Sequence, residues 1–264
     1  MLDLVARARA LDYPYRAPPF DCVWAAGNVF PLEGVGINQI ANAISNAGAD
    51  PRAKRTPVLA IGSNRAPVQL RRKFSDFDPP CAVLIAKATL RDFDIVYGAG
   101  ISGYGAIGGA TLTHSPGTEV EAWVTWLDDK QLERMHETEG LSVGVYKLLE
   151  LQQVDLRFDC GPKWTSVRAY VQSAGSLNIA NTPIALGEIP ATGRKYPSLR
   201  QPQMQSLLRD RFAPHQPIDG FIAENIINAD KRTLRTEALR TSAIPFDWPH
   251  YQDQTPYRLR PRNF

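Results

Sequence analysis

Four apolar residues, Val58-Leu59-Ala60-Ile61, run without a polar break into Gly62-Ser63-Asn64. A short apolar run stopped by turn residues reads as a buried strand. Gly62 lets the backbone approach a ligand closely, and Ser63 and Asn64 add short polar side chains. Such a strand end can bind an anion or an oxyanion. Many strands end this way for turn reasons alone, so the run predicts a strand and leaves the site open.

A second stretch, Asp128 to Gly140 (DDKQLERMHETEG), reads as a helix. Asp128 is the N-cap with Gln131 at N3, a capping-box arrangement, and Gly140 is the stop. At about 100° per residue, Leu132, Met135, His136 and Glu139 share one side, with Glu139 within about 20° of Leu132. Glu137 lies well away. The helix therefore turns a carboxylate toward its apolar side, at a C-terminus where the dipole opposes negative charge. That setting suits a general base. The alternative is a frayed end with Glu139 in solvent, and the pattern leaves both readings standing.

Taken in order, several stretches resemble the gamma-glutamylcyclotransferase family. Gly62-Ser63-Asn64 after an apolar strand is similar to the family's Tyr-Gly-Ser-Asn loop. Gly108-Gly109-Ala110-Thr111-Leu112 resembles its Gly-Gly-x-Ala-Thr strand, and Ser115-Pro116-Gly117-Thr118-Glu119-Val120 its Ser-Pro-Gly-x-Glu-Val turn. Leu132 to Tyr146 resembles its helix, its Glu-Gly and the Tyr opening the next strand, and Arg168-Ala169-Tyr170-Val171 a further strand. The resemblance implies an α+β fold: a small mixed β-barrel with packed helices, over residues 56–212. Residues 1–55 become an N-terminal extension of arm plus helix, and residues 213–264 a C-terminal extension ending in a basic tail.

The same resemblance implies a function. Glu139, not Glu137, is the catalytic acid/base; Ile61, Gly62, Ser63 and Asn64 form the substrate loop; Tyr146 lies on the substrate side, with a barrel-rim aromatic as its structural alternative. The family's loop Tyr is Ile61 here, so a ring or hydroxyl of the pocket is missing from that position. The implied reaction cleaves a γ-glutamyl amide by intramolecular attack, releasing 5-oxoproline and an amine or amino acid, with no cofactor and no metal. An amide hydrolase or acyltransferase using the same residues is one alternative, and a non-catalytic small-molecule-binding barrel is another.

Composition narrows the remaining classes. At 264 residues, 44% apolar and 22% charged, the chain can bury a sizeable core. Its net charge of +3 comes without a long basic block interleaved with aromatics, so nucleic acid is not an expected partner. No run of 18 apolar residues argues for a membrane span. Asp3, Arg7, Arg9 and Asp12 fall where a signal peptide needs apolar residues, so a cytoplasmic protein is expected. Cys22, Cys81 and Cys160 read as buried free thiols, and His114, His136, His215 and His250 lack metal-ligand spacing.

Along the rest of the chain, Pro14, Pro18 and Pro19 predict an irregular arm carrying Tyr13 and Tyr15. Ile37, Ile40, Ala41 and Ile44 predict a helix closed by Gly48 and Pro51, packed on the barrel. A lid over the Gly62 loop, or a homodimer arm, is the functional alternative for this region. Pro67 opens a short helix. Arg71, Arg72 and Lys73 read as a solvated face, with Arg65 near enough to the loop to pair with a carboxylate. Strands are predicted at 81–89, 93–97, Glu119–Leu127, Val145–Leu151, Val154–Phe158 and Val167–Val171.

Gly98-Ala99-Gly100-Ile101-Ser102-Gly103 matches a dinucleotide fingerprint in letters. The fingerprint needs a helix to start inside it, and Tyr104-Gly105-Ala106-Ile107-Gly108-Gly109 is too glycine-rich for one. A flexible loop near the barrel mouth is expected instead. Two further helices are predicted, Leu199–Phe212 with Met204, Leu207 and Leu208 inward, and Lys231–Leu239.

Overall fold

The computed structural model describes residues 2–32, 37–77, 81–159 and 161–256. Cys160 and the basic tail from Tyr257 lie outside the described residues. The chain opens with α1 (Leu4–Leu11), whose N-cap Asp3 accepts the Ala6 N–H at 2.8 Å. An arm carrying Tyr13 and Tyr15 follows. A hairpin, β1 (Cys22–Ala25) and β2 (Asn28–Pro31), leads to α2 (Ile37–Asn46). Then come β3 (Thr56–Ala60), a 3-10 turn (Ser63–Arg65), and α3 (Pro67–Phe74) with Pro67 in its first turn. Two long strands, β4 (Ala82–Tyr97) and β5 (Ala110–Leu127), precede α4 (Asp129–Thr138), β6 (Tyr146–Phe158) and β7 (Lys163–Gln172). Short two-residue strands lead to α5 (Gln201–Phe212), α6 (Ile218–Ile227) and α7 (Ala229–Arg240).

Five strands close on themselves. β3 pairs antiparallel with β5, β5 with β4, β4 with β6, and β6 with β7. β7 returns to β3 in parallel, Val58 against Arg168 and Leu59 against Ala169. The expected α+β class with a mixed barrel and packed helices is the observed architecture. β1 and β2 widen the sheet beyond β4, and a late strand, Tyr251–Asp253, adds to β6.

Strand alternation sorts the side chains into two clusters. Leu59 and Ile61 join Leu90, Val124, Leu149 and Ala169 in one. Val58 and Ala60 face the other way, against Leu70 and Phe74 of α3 and Met135 of α4. Leu70 is 0% exposed and Phe74 3%; full burial of such side chains stabilises by roughly 1.5–3 kcal/mol each. α3 and α4 are thereby fixed side by side over the exit of β3. Among the described residues no helix is long and apolar enough to cross a membrane.

The structure corrects several expected boundaries. Segments 81–89 and 93–97 are one strand, carried past a break by Asp92 at φ 62°. The β-like run Ala110–Thr113 and the segment Glu119–Leu127 are one strand, β5, because Ser115–Thr118 bulges without ending the ladder. Gly117 (φ 83°) donates its N–H to Asp92 Oδ1 at 2.7 Å, so the two irregularities brace each other. Gln153 at φ 56° does the same service in β6, which is continuous. Helix α6 had no counterpart among the expected elements.

The Gly98–Gly109 segment, expected as a flexible loop, is tied down by hydrogen bonds. Gly98 N–H bonds Gly109 O at 2.8 Å and Gly108 N–H bonds Gly100 O at 2.7 Å. Gln201 of α5 clamps both peptide groups of Ile107, at 3.0 and 3.1 Å, and Gln205 holds Gly105 O at 2.7 Å. No helix starts within the segment, so the fingerprint lacks the dipole it would need.

Candidate active site

Helix α4 begins as its sequence dictates. Asp128 accepts the Gln131 N–H at 2.9 Å, and Gln131 Oε1 accepts the Asp128 N–H at 3.0 Å. The helix ends at Glu139, with Gly140 in the left-handed region at φ 65°. Met135 and His136 are buried, Glu137 is exposed, and the Glu139 side chain is 15% exposed. The helix end is ordered by these contacts, and the carboxylate points inward.

Ile61, Gly62, Ser63 and Asn64 line the same cavity as Glu139 and Tyr146. The interior space is about 30 Å³, and about 300 Å³ when its open mouth is included. All six residues singled out from sequence thus meet at one place. A roomier hollow lies between β2 and α2, and among the described residues its wall, which includes Phe30, Pro31, Leu32, Gln39 and Asn42, offers no titratable group.

Glu139 has two partners that fix its orientation. Lys73 Nζ lies 2.6 Å from Glu139 Oε1, and Asn64 Nδ2 donates to the same oxygen at 3.1 Å. Both end on Oε1, and among the described residues Oε2 has no hydrogen-bond partner. Asn64 Oδ1 is buried with no hydrogen-bond partner among the described residues, a second acceptor beside the carboxylate. The Lys73 ammonium offsets both the helix dipole and the loss of water around the carboxylate.

Lys73 is the main correction to the sequence reading. It sits in the Arg71-Arg72-Lys73 run expected to be solvated, yet its side chain is 4% exposed and touches Met135 Sδ at 3.1 Å. The signal was present: Leu70, Lys73 and Phe74 follow the i, i+3, i+4 spacing of one helix face. Arg71 and Arg72 are exposed as expected. Arg65 lies over the Trp123 ring at 4.2 Å; burial pushes its pKa down to about 10, against the charges of Glu121 and Glu188, which raise it.

Tyr13 and Tyr170 complete the wall, and neither had been assigned to the site from sequence. Tyr170 Oη pairs with His136 Nδ1 at 2.8 Å. Tyr13 Oη accepts the Ala110 N–H at 2.6 Å, and Tyr146 Oη donates to Ala110 O at 3.2 Å. Burial raises both phenols above the ordinary tyrosine range, with Glu139 the next cause for Tyr146. Both therefore stay protonated. Two glycines make the room: a Cβ at Gly62 would stand 2.7 Å from Tyr13 Oη, and one at Gly109 2.3 Å from Tyr146 Oη. Among the described residues no cluster of His, Cys, Asp and Glu could hold a metal ion.

The sequence matches no family model and no curated protein. Among solved structures the chain is similar to a gamma-glutamyl cyclotransferase, at 20% identity over 74% of this chain and 92% of that one, with a TM-score of 0.39. It is similar to an uncharacterized protein from Homo sapiens at 20% identity, over 74% of this chain and 91% of that one, with a TM-score of 0.39. A protein from Arabidopsis thaliana, solved in solution, is 18% identical over 68% of this chain and 95% of its own, with a TM-score of 0.34.

Proposed function

We propose that this chain is a gamma-glutamylcyclotransferase-like enzyme that cleaves a γ-glutamyl amide into 5-oxoproline and an amine or amino acid. The observation that carries the reading is the Glu139 carboxylate, held through Oε1 by Lys73 and Asn64 at the edge of the Gly62 loop cavity. A fixed carboxylate with one free oxygen has the geometry of a general base.

The substrate's α-ammonium docks between Glu139 Oε2 and Asn64 Oδ1 and gives one proton to Glu139. The freed amine attacks its own γ-carbonyl carbon, forming the ring C–N bond and an oxyanion. The amide C–N bond then breaks, and Glu139 returns its proton to the departing nitrogen. The ring nitrogen sheds its second proton to solvent, and the released amine takes one up, so protons balance. Closing a five-membered ring is intramolecular, and orientation supplies much of the acceleration. No cofactor takes part in these steps.

The test is mass spectrometry of purified protein with γ-glutamyl amines, γ-glutamyl amino acids and glutathione. Release of 5-oxoproline supports cyclisation. Release of free glutamate supports hydrolysis at the same site, and ligand binding without turnover supports a binding protein.

A further inference from the structure

The N-terminal arm brings a group to the cavity that the barrel strands do not supply. Tyr13 is 4% exposed and lines the pocket beside Gly62 and Glu139. Its ring is held from behind. Tyr15 packs edge-on against it at 6.0 Å between centroids, Tyr15 Oη donates to Arg9 O at 3.0 Å, and the Arg72 guanidinium lies 4.8 Å over the Tyr15 ring. The arm is thus anchored to both α1 and α3.

The two hydroxyls at Ala110 differ in what they have left to offer. Tyr146 already directs its hydrogen to Ala110 O at 3.2 Å. Tyr13 uses an oxygen lone pair to accept the Ala110 N–H at 2.6 Å. A phenol that accepts still has its own hydrogen to donate. The Tyr13 hydroxyl lies beside Gly62, where a Cβ would come within 2.7 Å of its oxygen, and Tyr13 is one of the residues lining the cavity. A buried donor in the wall of a small polar cavity is the arrangement that can stabilise a developing oxyanion.

We propose that Tyr13 is the hydrogen-bond donor to the ligand's carbonyl oxygen, so that the site is complete only when the N-terminal arm is in place. The proposal rests on the reading of the cavity as an amide-cleaving site. It also explains how the chain dispenses with a loop tyrosine at Ile61: the arm delivers a phenol to the same cavity from another direction. The ligand class is a compact amide or lactam whose carbonyl reaches Tyr13 while its ammonium or ring nitrogen faces Glu139.

Two measurements on the full chain test it. In the first, Tyr13→Phe is assayed beside the parent on γ-glutamyl substrates. The ring and its packing are kept, so the expected result is a fall in kcat on the order of 100-fold with KM little changed, beside a lower melting temperature because the buried Ala110 N–H loses its acceptor. Equal kcat in the two proteins overturns the proposal and leaves the reaction intact. In the second, protein labelled with ¹³C at tyrosine Cζ is titrated with 5-oxoproline, 2-pyrrolidinone, acetamide and cyclopentanecarboxylate. The Tyr13 resonance, assigned by its absence from Tyr13→Phe, is expected to shift with the carbonyl probes and not with cyclopentanecarboxylate.

That second outcome, in a protein that turns over no γ-glutamyl substrate, supports the Tyr13 donor and sinks the cyclisation reading. An unmoved Tyr13 resonance across all carbonyl probes overturns the donor whatever the activity.

Discussion

Lys73 Nζ, from the last turn of α3, stands 2.6 Å from Glu139 Oε1 at the end of α4. The pair joins two helices over the exit of β3, with Lys73 almost fully buried and Glu139 reaching the cavity. Removing one member leaves the other as an uncompensated charge, which costs about 3 kcal/mol or more when the group is buried. Lys73→Met is expected to lose about that much stability in urea denaturation. Lys73→Met combined with Glu139→Gln should recover most of it, since no lone charge remains. Additive losses in the double variant would contradict a coupled pair.

Gly62 and Tyr13 are fitted to one another. A methyl at Gly62 meets Tyr13 Oη at 2.7 Å and Ala110 Cβ at 2.9 Å. Gly62→Ala should therefore destabilise by about 1–3 kcal/mol through overpacking. Adding Tyr13→Phe removes the nearer atom, so the double variant should lose less than the sum of the two single changes. A purely additive result would mean that the arm does not sit against the loop in solution.

Gly98–Gly109 should behave as core and not as a gate. The N–H groups of Gly98, Ser102, Ile107 and Gly108 are all hydrogen-bonded, at 2.7 to 3.0 Å. Native-state hydrogen exchange is expected to protect them about as well as the β4–β5 ladder. Gln201→Ala, which strips both bonds from Ile107, should release that protection and cost about 1–3 kcal/mol. Exchange at the rate of an open loop in the parent protein would restore the reading of a flexible lid.

Burial lowers the His136 pKa, with the Arg168 charge as the second cause. The imidazole is therefore neutral in the folded state and pairs with Tyr170 Oη at 2.8 Å. An unfolded histidine takes up its proton near pH 6.5. Its contribution is fully present above that pH and is lost as the pH falls toward the lower folded value. Denaturation midpoints should decline between pH 7 and pH 5 more steeply for the parent than for His136→Gln. Parallel declines would assign the acid sensitivity to other groups.

Much of the barrel was legible because strands and caps are local. The Asp128–Gln131 capping box and the Pro67 helix start formed as read, since each needs only residues three or four apart. Strand limits were less legible. Asp92, Gly117 and Gln153 look like breaks in sequence, but positive φ at each lets a bulge carry the ladder through. α6 was hidden by Gly220 in its first turn and is made helical by burying Phe221 and Ile222. Lys73 was hidden behind the two exposed arginines before it. Tyr13 offered no signal at all, because only tertiary packing brings the arm to Gly62 and Ala110.

The most direct test of the account is turnover by Glu139→Gln, which keeps the side chain's shape, removes the base and leaves Lys73 without its counter-charge, so the folded fraction of the variant is measured alongside. Parent and variant are incubated with a panel of γ-glutamyl compounds, and 5-oxoproline is counted by mass spectrometry. The account predicts 5-oxoproline from the parent and a rate lower by about 100- to 10,000-fold in the variant. Equal release from both proteins would contradict it, because the carboxylate beside Lys73 and Asn64 would then take no part in the chemistry.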